Sequence, residues 1–408
     1  MSRSKITSGI LLLAMLLVGM VLIPAASAQE EKDYSVTAEE ALMRANANMI
    51  NFIAGNALGF ENWTGASINP NPQELYDVNG QKLFYRFSVY KENKLIGTID
   101  VCADKTLGPS IYDIVFDPEP YKVSEAMKKS IEIAKNEYSD GEIKSTQMVV
   151  YSYPRIGAMT VVKDKATGVE HRIFVDAYSL DEVEDKLATE TEPGIWSLYD
   201  KILAYGKENN LKEWQKSDEL AKSIEQAAAN KGVNINAAVT EENIKKINAD
   251  AVTPKASGIT LPVTKRGQEN DVYCGCVCCQ MIGEYICNVY KTQDYIYEFE
   301  GHDPNNLKGG LSIPDAVDYC KSWSGLVQRG TVDDYAFNPL TAVGEINNNR
   351  PFMSLSTNPN HFRLCYGYLS SGSLVYLYII DPLPIGSGSY TMERSGANEV
   401  ARIYVRPS

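Results

Sequence analysis

Gln268-Glu-Asn-Asp-Val-Tyr-Cys-Gly-Cys-Val-Cys-Cys-Gln-Met-Ile-Gly-Glu-Tyr-Ile-Cys287 carries five cysteines between Cys274 and Cys287. Three readings compete: a metal site, a disulfide knot, or a helix bearing one reactive thiol. Zinc ribbons and fingers use paired Cys-x2-4-Cys knuckles separated by a spacer. Cys274-x-Cys276-x-Cys278-Cys279 has no second knuckle. Instead Val277, Cys278, Met281, Ile282, Tyr285, Ile286 and Val289 recur at i, i+3 and i+4, the apolar stripe of a helix. Cys278 then lies on a core face, where a free thiol behaves as a small hydrophobe, and Cys279 and Cys287 fit the same description. A disulfide involving Cys287, Cys320 or Cys365 is compatible with the sequence, which does not pair them. No metal and no cofactor is expected.

Cys274 stands apart. It precedes the stripe, after the loop-like Gln268-Glu-Asn-Asp271, and Gly275 follows it. At a helix N-terminus the dipole and unpaired N–H groups favour the thiolate. A nucleophilic thiol needs a base, and the chain has three histidines: His171, His302 and His361. His361 to Leu369 and Leu374 to Ile380 read as strands, with the turn-forming Ser370-Ser-Gly-Ser373 between them. Antiparallel partners keep a roughly constant index sum. A loop centred near 371–372 sets residue 361 opposite 381 or 382, so Asp381 is expected beside His361, where a carboxylate orients an imidazole and stabilises its protonated form. Gln268, six residues before Cys274, offers an amide donor for a developing oxyanion.

Together these residues resemble the papain-like cysteine peptidases, most closely the compact branch related to bacteriocin-processing peptidases. Gln268, Tyr273-Cys274-Gly275, Met281, His361 and Asp381-Pro382 carry the likeness, and Arg350-Pro-Phe-Met353 suits a strand leading to the histidine hairpin. The resemblance spans about residues 259–385. It implies Cys274 as nucleophile, His361 as base and acid, Asp381 as orienting group and Gln268 as oxyanion donor. Cys276 stands where the branch usually has proline. Gly275-Cys276-Val277 also resembles the Gly-Cys-Val of streptopain-like peptidases, so Cys276 is the alternative nucleophile. The interval from Cys274 to His361 is shorter than in papain and implies a reduced β-half.

The net charge of −13 argues against nucleic acid or an anionic membrane surface as the main partner, since either needs a basic patch. Arg3 and Lys5, an uncharged run from Ile10 to Pro24, and Ala26-Ser27-Ala28 form a signal peptide over residues 1–28. An exported or cell-surface protein is therefore expected, with no membrane span after cleavage. Asn62-Trp-Thr64 is a glycosylation sequon for a host that glycosylates such proteins.

Val36 to Phe60 reads as a helix that Thr37 and Glu40 can cap. Two runs flanking Lys91-Glu-Asn-Lys94 read as a hairpin, Val123 to Tyr138 as a helix, and 147–153, 157–163 and 171–178 as strands. Residues 34–185 thus form an expected α+β domain, 186–258 a helical linker with a candidate activation site at Ala251 to Gly258, and 259–408 a catalytic domain. The expected fold class is α+β: a papain-like helix bearing the cysteine on an antiparallel sheet bearing His and Asp. By resemblance to streptopain-type prodomains, the N-terminal domain is an intramolecular inhibitor. The expected protein is an exported cysteine peptidase made as a zymogen, acting on peptide or protein substrates. The alternatives are another thiol acyl transferase or amidase on the same scaffold, or a non-catalytic exported binding protein.

Overall fold

The computed structural model describes residues 33–189, 192–204, 206–248, 256–356, 361–371 and 374–408. The expected signal peptide lies outside them, as do residues 251–255 of the expected activation stretch. The fold is mixed α+β. Its strands are β1 Ser67–Ile68, β2 Gln73–Asp77, β3 Lys82–Lys91, β4 Lys94–Cys102, β5 Ile111–Phe116, β6 Glu142–Ser152, β7 Arg155–Lys163, β8 Glu170–Asp176, β9 Glu182–Val183, β10 Ser257–Thr260, β11 Val332–Asp334, β12 Phe352–Ser356, β13 His361–Ser371, β14 Leu374–Asp381, β15 Ser389–Arg394 and β16 Ala401–Tyr404.

These strands hydrogen-bond into one sheet, in the order β11-β16-β12-β13-β14-β15-β5-β4-β3-β2-β6-β7-β8-β9, with β1 on β3 and β10 on β13. Its join is the antiparallel pair β5–β15, with Glu393 opposite Asp113 and Tyr390 opposite Phe116. Residues from the two ends of the chain therefore share a sheet. No described helix is long and apolar enough to cross a membrane.

Local sequence explains the elements. Thr37 and Glu40 form a reciprocal capping box on the helix Ala38–Ala54. Glu92 and Asn93 take positive φ, which closes the two-residue β3–β4 turn. The polar segment contributes the helices Leu198–Ala204, Lys207–Asn230 and Glu241–Asn248. Trp214, Ala221 and Ile224 of the longest of them bury in the same core as Phe52 and Ala45. Ser257–Thr260 pairs with β13 as a strand.

β14 is buried on both faces, and its two-residue period divides the cores. Tyr376 and Tyr378 join the core around the helix Ala38–Ala54, while Leu377 and Ile379 join the core around the helix Cys274–Cys287. Phe52 meets Tyr376 edge-on at 5.3 Å, and the Tyr378 hydroxyl donates to the Leu58 carbonyl at 2.6 Å. Each such buried aromatic contributes about 2 kcal/mol of hydrophobic stabilisation. The N-terminal helix thus backs the same strands that carry the cysteine helix on their other side.

The β13–β14 register differs from the expected index sum. Ser371 pairs with Leu374, and beyond a bulge between Cys365 and Gly367, Leu364 pairs with Ile380. The strands run closer to the turn than the turn-forming residues suggest. Continuing this register sets Asp381 opposite Arg363, and its side chain reaches His361 diagonally.

Candidate active site

The helix Cys274–Cys287 begins at Cys274, with Tyr273 at its N-cap and no capping side chain. Its first-turn N–H groups thus remain without a side-chain acceptor from the cap. Cys276, Val277, Cys278, Cys279, Met281 and Ile282 pack into the core. Burial pushes the thiols of Cys276 and Cys278 well above the usual range. The Cys279 thiol is also raised, by its hydrogen bond with Cys320 and by burial.

Cys274 differs from these. Burial alone raises its pKa, but the hydrogen bond and charge of His361, with backbone N–H groups of Phe362 and Gly275, hold it below the usual thiol value. His361 begins β13, and its Nε2 lies 2.8 Å from Asp381 Oδ1 at the end of β14. The other ring nitrogen, Nδ1, is left for the thiol. Burial pulls the His361 pKa down, but Asp381 and Cys274 outweigh burial and raise it to about 9. A lowered thiol beside a raised imidazole favours the thiolate–imidazolium form of the pair over the neutral one. The structure therefore links Cys274, His361 and Asp381 in one line. His171 stacks on Tyr138 and His302 on Tyr297, elsewhere in the fold.

The loop after Asp381 fixes this carboxylate. Leu383 N–H donates to Asp381 Oδ1 at 2.8 Å. Gln268 N–H donates to the Pro382 carbonyl at 3.0 Å, and Gly386 N–H to the Gln268 carbonyl at 2.8 Å. The loops bearing Gln268 and Asp381 are thereby stitched together. Gly388, at φ +61°, permits this approach: a Cβ there would lie 2.8 Å from the Asp381 carbonyl oxygen and 2.9 Å from that of Arg266.

Gln268 is buried, and its side-chain amide donates to the Asn270 carbonyl at 2.6 Å. Among the described residues its Oε1 has no hydrogen-bond partner. An amide carries two N–H donors, so one remains. Gln293 supports the same loop, donating to the Gly267 carbonyl at 3.0 Å and accepting from Glu269 N–H at 3.0 Å.

Sequence reasoning missed two features around this line. Arg363, two residues after His361 on the same strand face, binds Glu393 in a fully buried bidentate pair at 2.8 and 2.9 Å. The two-residue period of β13 pointed to Arg363, but nothing local pointed to Glu393. The second is the contact of Arg155, at the start of β7, with Asp271, three residues before Cys274, at 2.7 Å. A pair between residues so distant in sequence leaves no local signal.

No family model matches the chain, and no curated protein does. Among solved structures the chain is similar to the peptidase domain of Streptococcus ComA, a bi-functional ABC transporter involved in a quorum sensing pathway. That similarity has 16% identity and a TM-score of 0.26, covering 35% of this chain and 98% of that one. Function is therefore read from the site's own geometry.

Proposed function

We propose that the protein is an exported cysteine peptidase made as a zymogen, with Cys274 as nucleophile, His361 as base and acid, Asp381 as orienting carboxylate and Gln268 as oxyanion donor. The observation that carries this reading is the hydrogen-bonded line Cys274–His361–Asp381, with a lowered thiol and a raised imidazole. The Cys274 thiolate adds to a peptide carbonyl, and the developing oxyanion takes hydrogen bonds from the free Gln268 N–H and backbone N–H groups at the helix start. His361 passes its proton to the amine as the C–N bond breaks, which leaves a thioester on Cys274. His361, now neutral, takes a proton from water as the water attacks. The thiolate leaves with the acid product released.

Support for an inhibitory N-terminal region comes from Arg155 of that region, whose guanidinium holds Asp271 three residues before the nucleophile. Support for export comes from the residues preceding Gln29.

Limiting iodoacetamide near pH 5.5, with mapping of the alkylated cysteine, tests this reading. Only a thiol with a depressed pKa reacts quickly there. Fast labelling at Cys274 that disappears in His361→Ala is the expected result. Fast labelling at Cys276 instead would move the nucleophile, and Cys274→Ser protein that still cleaves peptides would overturn the assignment.

A further inference from the structure

The loop from Gln268 to Tyr273 runs between the proposed oxyanion donor and the nucleophile, so a substrate carbonyl at Cys274 places neighbouring residues along it. Local bonds fix this loop: Val272 N–H donates to Asn270 Oδ1 at 3.0 Å, and Tyr273 donates its hydroxyl to Asp294 at 2.7 Å. It carries two carboxylates, Glu269 and Asp271, and no cation. The cations just before it are engaged elsewhere. Arg266 forms a bidentate pair with Glu284 at 2.9 and 3.0 Å, and Lys265 donates to the Gly388 carbonyl at 3.0 Å.

The positive charge that reaches the loop comes from the other end of the sheet. Arg155 follows the turn between β6 and β7, and its guanidinium meets Asp271 at 2.7 Å. Asp271 keeps 58% of its side chain exposed, while Arg155 keeps 20%. The carboxylate is thus an open acceptor three residues from the nucleophile, capped by a guanidinium of this chain.

Resting on the peptidase reading, we infer that Asp271 selects substrates bearing a lysine or arginine side chain next to the bond cut, and that Arg155 occupies this acceptor in the intact chain. Arg155 stands in for the substrate's basic residue. The N-terminal region then restrains the enzyme by filling a specificity subsite. A half-exposed carboxylate making a charge-assisted hydrogen bond discriminates modestly, by about fivefold to tenfold.

The test uses the full-length chain carrying Arg155→Ala, incubated with a mixture of synthetic peptides of random sequence. Mass spectrometry reads residue frequencies on both sides of each cleaved bond. Lysine and arginine enriched about fivefold to tenfold at one fixed position, with the enrichment lost when Asp271→Asn is added, supports the inference. Cleavage without a basic preference, or a preference that survives Asp271→Asn, overturns it and leaves the peptidase reading standing. An uncleaved mixture also overturns it, and iodoacetamide reactivity of Cys274 then tells whether the peptidase reading fails too. Arg155→Gln, which retains an amide donor at this position, repeats the measurement if Arg155→Ala does not fold.

Discussion

Asp113 on β5 and Glu393 on β15 stand directly opposite each other at the join of the sheet, both buried. Arg363 binds Glu393, and Arg86 binds Asp100, which flanks Asp113 on its other side, at 2.8 and 2.7 Å. Among the described residues Asp113 has no ion-pair partner, and its Oδ1 has no hydrogen bond. Burial and the charges of Asp100 and Glu393 push its pKa well above the usual range, against Arg86 and Arg363 nearby. Tyr112 and Tyr153 are the other titrating neighbours.

Asp113 therefore keeps its proton to higher pH in the folded state than in the unfolded chain, whose carboxyl titrates near pH ~4. Its cost is absent below that pH and grows as pH rises toward the folded value. Asp113→Asn should stabilise the protein by about 1–3 kcal/mol at pH 7 and by almost nothing near pH 4. Urea unfolding at both pH values measures this, and an equal offset at both would count against it.

Removing the cation beside this pair should act in the opposite direction. Arg363→Leu leaves Glu393 buried and unpaired next to Asp113, a loss of about 3–5 kcal/mol. Adding Glu393→Gln should recover a large part of that loss in the same unfolding assay. No recovery would mean that Arg363 stabilises by packing instead of by charge.

On the proposed mechanism, His361 should set the alkaline edge of activity. Its pKa is raised to about 9, so the ion pair's contribution to stability is complete below its unfolded value near ~6.5 and disappears as pH rises through about 9. Activity should fall over the same upper range, because imidazolium must protonate the leaving amine. Asp381→Asn removes the first cause that raises His361, leaving burial opposed only by Cys274. The alkaline limb should move to lower pH, and kcat should drop about 10²- to 10⁴-fold. A pH–rate profile with an unmoved limb would contradict this role for Asp381.

Gly388→Ala tests the stitching of the two loops. The new Cβ would press on the carbonyls of Asp381 and Arg266 at a positive φ. A destabilisation of about 1–3 kcal/mol is expected, with a lowered kcat, although no reacting group changes. Kinetics indistinguishable from wild type would show that Asp381 keeps its place without this close approach.

A chain cut inside Ala251–Gly258 should not separate the two parts. Phe52, Leu58, Tyr376 and Tyr378 share one core, and β5 pairs with β15. After limited trypsin cleavage following Lys255, both fragments should elute together from a sizing column and part only in denaturant. Spontaneous separation in buffer would show that the shared core is weaker than its burial implies.

Several parts of this fold are written locally. Thr37 and Glu40 cap their helix, Glu92-Asn93 turns the β3–β4 hairpin, and the apolar stripe from Val277 to Ile286 makes the cysteine helix, because each signal lies within a few residues. The approach of His361 and Asp381 was legible for the same reason, since one hairpin contains both, although the bulge at Cys365 shifted the register. β5 and β15 were not legible as a pair, because an edge that meets another edge across some 280 residues of chain, from Asp113 to Glu393, has no periodic signature.

The sequence by itself determined which residue types are present and which short elements carry them: a cysteine ahead of a helical stripe, and a histidine and an aspartate on one hairpin. The sequence set Cys274 apart but left Cys276 as an alternative, and the tertiary structure gave the two thiols opposite environments. Burial raises the thiols of Cys276 and Cys278, whereas contact with His361 lowers Cys274, and that contact joins two elements distant along the chain. It also decided that Arg155 meets Asp271 and that Asp113 faces Glu393. Charges find such partners only when folding brings distant strands within a few ångströms and removes the water that would screen them.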